Sequence, residues 1–316
     1  MNAATYKILK ALEKNGDARK ADGYARKHDI LYKRHGGEKA LFIVMGILFT
    51  IFAVSFILPF LWILMNAFKG TKEFATDSLA WPSSFNFNNF VNAWNFSSRA
   101  TSGYTFLQMI GMSVLVAGGG TIATVITSSC AAWVVAKYRF PGRSIIFGVV
   151  IFSLIVPIVG ALPSQMQLMR SLHLTDSVIG CIFLYSGGFG SNFLLLYSFF
   201  KNLSWTYVEA AKIDGASDFR IFVQIILPMA KGPMTAVTIL TLIGLWNDYI
   251  TPSLYLPKQP TIAYGIYLMQ STMVDTKQNY PLFFAIIILT MIPILLIFVL
   301  FNKTIMENTS VGGLKG

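Results

Sequence analysis

Residues 204–228 read SWTYVEAAKIDGASDFRIFVQIILP, and their order predicts two short helices hinged on one glycine. Ser204 is a candidate N-cap, because a serine oxygen can accept from the free N–H groups of a first helical turn. Glu209, Ala210, Ala211 and Lys212 favour helix, and Gly215 can take the left-handed conformation that ends it. Ser217 or Asp218 then caps a second helix, which Pro228 interrupts. Along that helix Phe219, Phe222, Val223 and Ile226 recur at i, i+3, i+4 and i+7, so one face is apolar. A stiff hairpin with an apolar face suits docking into a groove of another protein. A helix packed on the chain's own core is the competing reading.

The chain around this hairpin is built for lipid. Of its 316 residues 54% are hydrophobic and 12% charged, against about 25% charged in soluble domains. Mean hydropathy is +0.59. That composition excludes a disordered chain. A membrane-crossing helix needs about 20 mostly apolar residues. Six segments qualify, at 40–68, 106–136, 144–162, 177–200, 234–256 and 282–301. The expected fold is therefore an all-α integral membrane protein of six transmembrane helices. The first span is too long for a signal peptide and no small-residue cleavage site follows it.

Lys and Arg are retained on the cytoplasmic side of spans. Nineteen of the 25 fall in the N-terminal tail, the loops after spans two and four, and the C-terminal tail. Both termini and the hairpin are thus expected to be cytoplasmic. The net charge of +11 is mostly this asymmetry, so nucleic-acid binding is not needed to explain it. Residues 1–39 read as a basic tail, in which Tyr6, Ile8, Leu9 and Leu12 recur at near-helical spacing. A solvated tail is expected, with an amphipathic helix on anionic lipid as the alternative. The segment from Gly70 to Gly103 is expected outside the membrane, with a small helix around Asn89 to Asn95.

Reactive groups are scarce. No GxxxxGK[ST] occurs, so the chain has no phosphate-cradling P-loop. The glycines Gly118, Gly119, Gly120 and Gly187, Gly188, Gly190 lie in apolar spans, where they favour close helix approach or a local break. Cys130 and Cys181 also sit in apolar runs and are expected to pack as small apolar residues, without redox or zinc chemistry. His28, His35 and His173 have no Ser or acid at triad spacing. Within the six spans the one acid is Asp248, in the run Trp246, Asn247, Asp248, Tyr249. This quartet is a candidate substrate path, since Asn and Asp accept from sugar hydroxyls and Trp and Tyr stack on sugar rings. Asp248 bonding backbone groups at a helix break is the other reading.

The hairpin resembles the signature of the inner-membrane permease subunits of binding-protein-dependent ABC importers. That signature is EAA, three residues, Gly, nine residues, then IxLP. Here Glu209, Ala210 and Ala211 precede Gly215, and nine residues later stand Ile225, Leu227 and Pro228. AKYRFPGR at 136–143, WNDYITPSLYL at 246–256 and FNKTIMENTSVGGLKG at 301–316 are similar to the maltose-type, carbohydrate-importing branch. The likeness runs from about Phe42 to Gly316 and leaves the first 38 residues uncovered. Where the family often has Ile-Pro before the EAA stretch, this chain has Leu203 and Ser204.

The resemblance implies a type I ABC importer permease fold in a bacterial plasma membrane. Its domain would be 40–316, with a coupling loop at 201–232 seated in a cleft of one of two ATPase subunits. It implies ATP and Mg on those partners and no cofactor or metal on this chain. It also implies a second, similar permease completing the pore as a heterodimer and an external solute-binding protein. In such a loop Ala210 and Ala211 would allow close approach to the partner, and Glu209 would bond its backbone donors or a basic residue. An autonomous ion-coupled carrier is the alternative, disfavoured by the shortage of intramembrane ionisable groups and of an inverted repeat. An enzyme acting on lipid-linked sugar would need a carboxylate pair or metal cluster that the sequence does not offer.

Overall fold

The computed structural model describes residues 10, 11, 36–97, 101–155, 160–273 and 279–309. His28, His35, Arg99, most of the N-terminal tail and the final glycine-containing residues lie outside them. The described residues are helical and contain no strand, only one isolated bridge between Ser97 and Thr105. The chain divides into two units, residues 1–62 and 63–316.

The first unit holds most of helix α1 (Gly36–Ala67), which starts before the residue-39 boundary expected from charge. Every side chain from Leu41 to Leu61 is exposed, and the helix is apolar on all sides. Lipid is the solvent that such a helix requires. Its few hydroxyls bond inward: Thr50 Oγ1 donates to the Gly46 carbonyl at 2.8 Å and Ser55 Oγ to that of Phe52 at 2.7 Å.

The second unit opens with a small cap. Here lie α2 (Thr71–Thr76) and α3 (Asn88–Trp94), the latter close to the expected 89–95. The buried Asn89 amide donates to the carbonyls of Ala67 and Lys69, at 2.7 and 2.8 Å. Lys69, fully buried, donates to the Asp77 carbonyl at 3.0 Å. The Phe68 ring lies 5.0 to 5.3 Å from those of Phe85, Phe87 and Phe90. Carboxylates hold the cap's turns: Glu73 accepts from the Ser83 N–H and Asp77 from those of Leu79 and Ala80. Those N–H groups hold both acids below their ordinary range.

Span two runs as α4 (Phe106–Ser113), a π-turn at Val114–Gly118 and α5 (Gly119–Lys137). A capping box starts it: Gln108 N donates to Thr105 Oγ1 at 3.3 Å and Thr105 N to Gln108 Oε1 at 2.9 Å. The remaining helices are α6 (Arg143–Ile155), α7 (Ala161–Ser171), α8 (Val178–Tyr185), α9 (Ser191–Asn202), α10 (Thr206–Ile213) and α11 (Asp218–Ile221). A second π-turn at Phe222–Ile226 leads into α12 (Leu227–Met229), α13 (Lys231–Asn247), α14 (Ile250–Tyr255), α15 (Ile262–Met273) and α16 (Tyr280–Thr309). Helices α8, α9 and α13 pack on α5, and α16 packs on α13 and α3.

Three continuous helices are long and apolar enough to cross a bilayer: Leu41–Ala67, Phe106–Lys137 and Tyr280–Asn302. The other three expected spans are not single rods. The segment 144–162 is the shorter α6 with α7 beginning at its end, 177–200 breaks at 186–190 into α8 and α9, and 234–256 breaks after Asn247 into α13 and α14. Glycines account for the 186–190 break, and the Asp248 carboxylate for the other. Both readings of the glycine runs are realised. A Cβ on Gly120 would stand 2.7 Å from Tyr185 Cδ2 and 2.9 Å from Leu245 Cδ1, whereas Gly187, Gly188 and Gly190 lie in the break. Of the cysteines, Cys181 is buried as expected but Cys130 is exposed on α5.

The close fit at Gly120 makes a testable contrast. Gly120→Leu should destabilise the detergent-purified protein by about 1–3 kcal/mol. Gly111→Leu should leave its thermal unfolding midpoint nearly unchanged, because nothing lies within 4 Å of a Cβ at Gly111.

Candidate functional site

The hairpin at 204–228 is anchored by aromatic packing. Trp133, near the end of α5, is 3% exposed. Its ring stacks on Trp205 at 6.4 Å and Phe222 at 6.1 Å, and meets Phe200 edge-on at 5.6 Å. One indole therefore joins span two, the end of α9 and both arms of the hairpin. Tyr138 adds an edge contact to Trp205 at 5.9 Å.

Polar contacts finish the junction. Lys137 Nζ donates to the carbonyls of Leu203 and Lys201, which end α9, as a cation does at a helix C-terminus. Arg143 Nη2 donates to the Ala136 carbonyl at 3.0 Å. The Tyr138 hydroxyl donates to Asp218 Oδ1 at 2.9 Å, and Lys212 Nζ lies 3.2 Å from the same oxygen. Asp218 thus links AKYRFPGR to both hairpin arms. The bonds from Tyr138 and then Lys212 hold its carboxyl below the usual carboxylate range. Burial, and then the Asp218 bond, push the Tyr138 phenol up.

Gly215 has φ +77°, as the sequence required, and Ser217 caps the second arm by accepting from Arg220 N at 3.4 Å. Two details differ from expectation. The first arm begins one residue late, with Trp205 at the N-cap and Ser204 Oγ accepting from Thr206 N at 3.3 Å, because the Trp205 ring is fixed on Trp133. The apolar face of the second arm does not stay together. The π-turn inserts an extra residue into the register, burying Ile221, Phe222 and Ile226 while leaving Phe219 76% and Val223 41% exposed.

The signature residues divide accordingly. Glu209, Ala210, Gly215 and Pro228 are exposed, Ile225 and Leu227 half-buried. Ala211 is 6% exposed and packs inward with Val208, whereas Ala210 is open to solvent. After α12 the chain turns by 81° at Ala230 into α13.

At the far end of α13 stands the quartet. Asp248 Oδ1 accepts from the N–H groups of Ile250 and Thr251, at 2.9 and 3.1 Å, and Oδ2 from the Tyr185 hydroxyl at 2.8 Å. The carboxylate is a turn-former at a helix break. Trp246 is 6% exposed, whereas Asn247 and Tyr249 are exposed. The Tyr249 ring stacks on Tyr267, 5.0 Å away and tilted by 22°. Sequence reasoning missed Tyr185, Tyr267 and Trp133; each is an ordinary aromatic in an apolar run, and only the fold shows its neighbour. No group of three or more metal-ligating side chains occurs among the described residues.

Residues 123–306 match the family model described as "Binding-protein-dependent transport system inner membrane component". The chain is 34% identical over 269 residues to the diacetylchitobiose uptake system permease protein NgcG of Streptomyces coelicolor, covering 84% of this chain and 86% of that one. It is 25% identical to the arabinooligosaccharides transport system permease protein AraQ of Bacillus subtilis, over 90% of this chain and 99% of the relative. A solved bacterial ABC transporter that imports the acidic polysaccharide alginate has a chain of similar fold. The TM-score is 0.71 at 21% identity, covering 85% of this chain and 98% of that chain.

Trp133→Ala should cost about 3–5 kcal/mol at the junction. It should speed tryptic cleavage after Lys212 in the purified protein. Asp218→Asn should cost within about 1 kcal/mol at neutral pH, because the pair is solvent-exposed. Its carboxyl is held low in the fold, so that contribution is complete above the ordinary Asp value and vanishes as pH falls through the lowered one. Wild type and Asp218→Asn should therefore begin to converge in thermal stability as pH falls below about 4, and meet only below the lowered folded value.

Proposed function

We propose that this chain, which belongs to the family of binding-protein-dependent transport system inner membrane components, forms half of the route for a sugar or short oligosaccharide in an ATP-driven importer. It is an integral membrane permease subunit and not itself the ATPase. Family membership implies ATPase and solute-binding partners. The finer assembly is our reading: two ATPase subunits carrying ATP and Mg, a second different permease, and a solute-binding protein on the outer face of a bacterial plasma membrane. No cofactor is assigned to this chain. Support for a sugar comes from the relatives named for diacetylchitobiose and arabinooligosaccharides.

Six membrane crossings are proposed, with the third, fourth and fifth built from the shorter helices, and both termini and the hairpin in the cytoplasm. The Lys and Arg distribution supports that orientation. Residues 1–39 are then a cytoplasmic tail, and 40–316 the permease domain with its loop at 201–232.

The observation that carries the coupling reading is the hairpin: a glycine at φ +77° between two arms, anchored through Trp133, with Glu209 and Ala210 open to solvent. Glu209, Ala210 and Gly215 would seat in an ATPase cleft, while Ala211, Ile225, Leu227 and Pro228 shape the arm that carries them into α13. A motor gripping Glu209–Gly215 would move the arm as a body, because its inner face is packed and its glycine turn is fixed. At the other end, Asn247 and Tyr249 would meet the solute and Trp246 and Asp248 would hold their turn.

Gly215→Pro and Glu209→Lys should leave the chain inserted in the membrane but abolish copurification of the ATPase subunits or solute-stimulated ATP hydrolysis. Wild-type uptake of labelled diacetylchitobiose or arabinooligosaccharide by either variant contradicts coupling through this loop. Transport by the chain alone in vesicles, driven only by an ion gradient, would favour the carrier alternative.

A further inference from the structure

Three discontinuities in the membrane helices meet at one residue. They are the π-turn at Val114–Gly118, the gap between α8 and α9, and the turn after α13. Tyr185 is the last residue of α8 and touches all three regions. Its ring covers Gly120, just past the π-turn, with Leu245 of α13 beside it. Its carbonyl accepts from Thr124 Oγ1 at 2.7 Å, and the same hydroxyl also reaches the Gly120 carbonyl at 2.7 Å. Its own hydroxyl donates to Asp248 Oδ2. The residue is therefore fixed at its backbone, its ring and its tip.

Asp248 has two oxygens with different work. Oδ1 closes the turn onto Ile250 and Thr251, so its donors come from its own chain segment. Oδ2 faces the rest of the protein and takes its donor from Tyr185. A carboxylate in a low-dielectric setting needs each oxygen met by a donor, and one that is not met seeks another by rotating. Rotation about the Asp248 side chain would disturb the Oδ1 bonds, and with them the placement of Asn247 and Tyr249. Tyr249 is further braced by the Tyr267 ring and by its carbonyl, which accepts from Ser253 N at 3.0 Å.

We propose that Tyr185 is a positioning residue for the solute route: through the second oxygen of Asp248 it fixes the turn that presents Asn247 and Tyr249. The inference rests on the reading that this turn borders the route. Tyr185 need not contact solute. The close packing at Gly120 makes the junction a rigid block, so α8 and the end of α13 move together.

The test uses the assembled transporter in proteoliposomes, with Cys130 replaced by Ala and the buried Cys181 retained. Single cysteines at Asn247→Cys, Tyr249→Cys and, as a distant control, the exposed Ser84→Cys are labelled with a membrane-impermeant maleimide. Adding Tyr185→Phe should change the labelling rate at 247 and 249 several-fold and leave that at 84 unchanged. Asp248→Ala, which removes both acceptor oxygens, should produce a change at least as large. The two substitutions together should add nothing further. An unchanged rate at 247 and 249, an equal change at 84, additive effects, or no labelling at either turn position would each overturn the proposal. Should Tyr185→Phe fail to insert, Asp248→Ala carries the comparison. Stimulation of ATP hydrolysis by the binding protein, measured on the same vesicles, reports the transporter reading separately. Its loss in wild type with the labelling pattern intact would sink the transporter reading and leave the Tyr185–Asp248 bond only as a brace of the turn.

Discussion

A backbone that leaves the helical ladder inside lipid must find new partners for its N–H and C=O groups, and that constraint organises the molecule. Helix α1 and the apolar part of α16 avoid the problem by never breaking. Elsewhere the α-helical ladder is interrupted by a π-turn at 114–118 and by breaks at 186–190 and 248–249, and each interruption is repaired locally. Asp248 Oδ1 accepts from two N–H groups at the start of α14, Thr124 donates to the last carbonyl of α8, and the π-turn keeps its own bonds. Repairs this specific fix where the chain can bend. They also explain why the one acid within the apolar spans sits at a break and not on the open face of a helix.

The same logic holds at the hairpin end, where aromatic packing replaces polar repair. Trp133 gathers side chains from α5, α9 and both arms into one cluster. Lys137 and Asp218 then close its polar edges. Family membership implies ATPase and solute-binding partners, and the cluster gives the hairpin a rigid base. The two ends of α13 are thus differently made: a packed aromatic joint at one, a hydrogen-bonded turn at the other.

Much of this was legible in the residues. Lipid as solvent followed from long apolar runs, the hairpin from Ser217 and Gly215, and the family from the spacing between Glu209 and Pro228. What periodicity missed has physical causes. A window of apolar residues reports hydrophobicity and not continuity, so α8 with α9, and α13 with α14, read as single rods. The π-turn at Phe222–Ile226 shifts the register by a residue, so an ideal 3.6-residue wheel placed Phe219 and Val223 on the wrong side. Ala211 faces inward because Val208, three residues earlier, faces the same core. Tyr185 and Asp248 lie 63 positions apart, and nothing in either local sequence announces the other.

The 81° turn at Ala230 gives the chain a crank. The second arm of the hairpin runs almost at right angles to α13, so a push applied along it arrives as torque on a rod about 26 Å long. A tilt of roughly 10° would swing the Asn247 end of such a rod by about 4–5 Å, against about 3 Å at the far end of the second arm, which is roughly 18 Å long. The geometry amplifies travel and correspondingly lowers force at the far end, which suits opening a passage better than squeezing a bound solute.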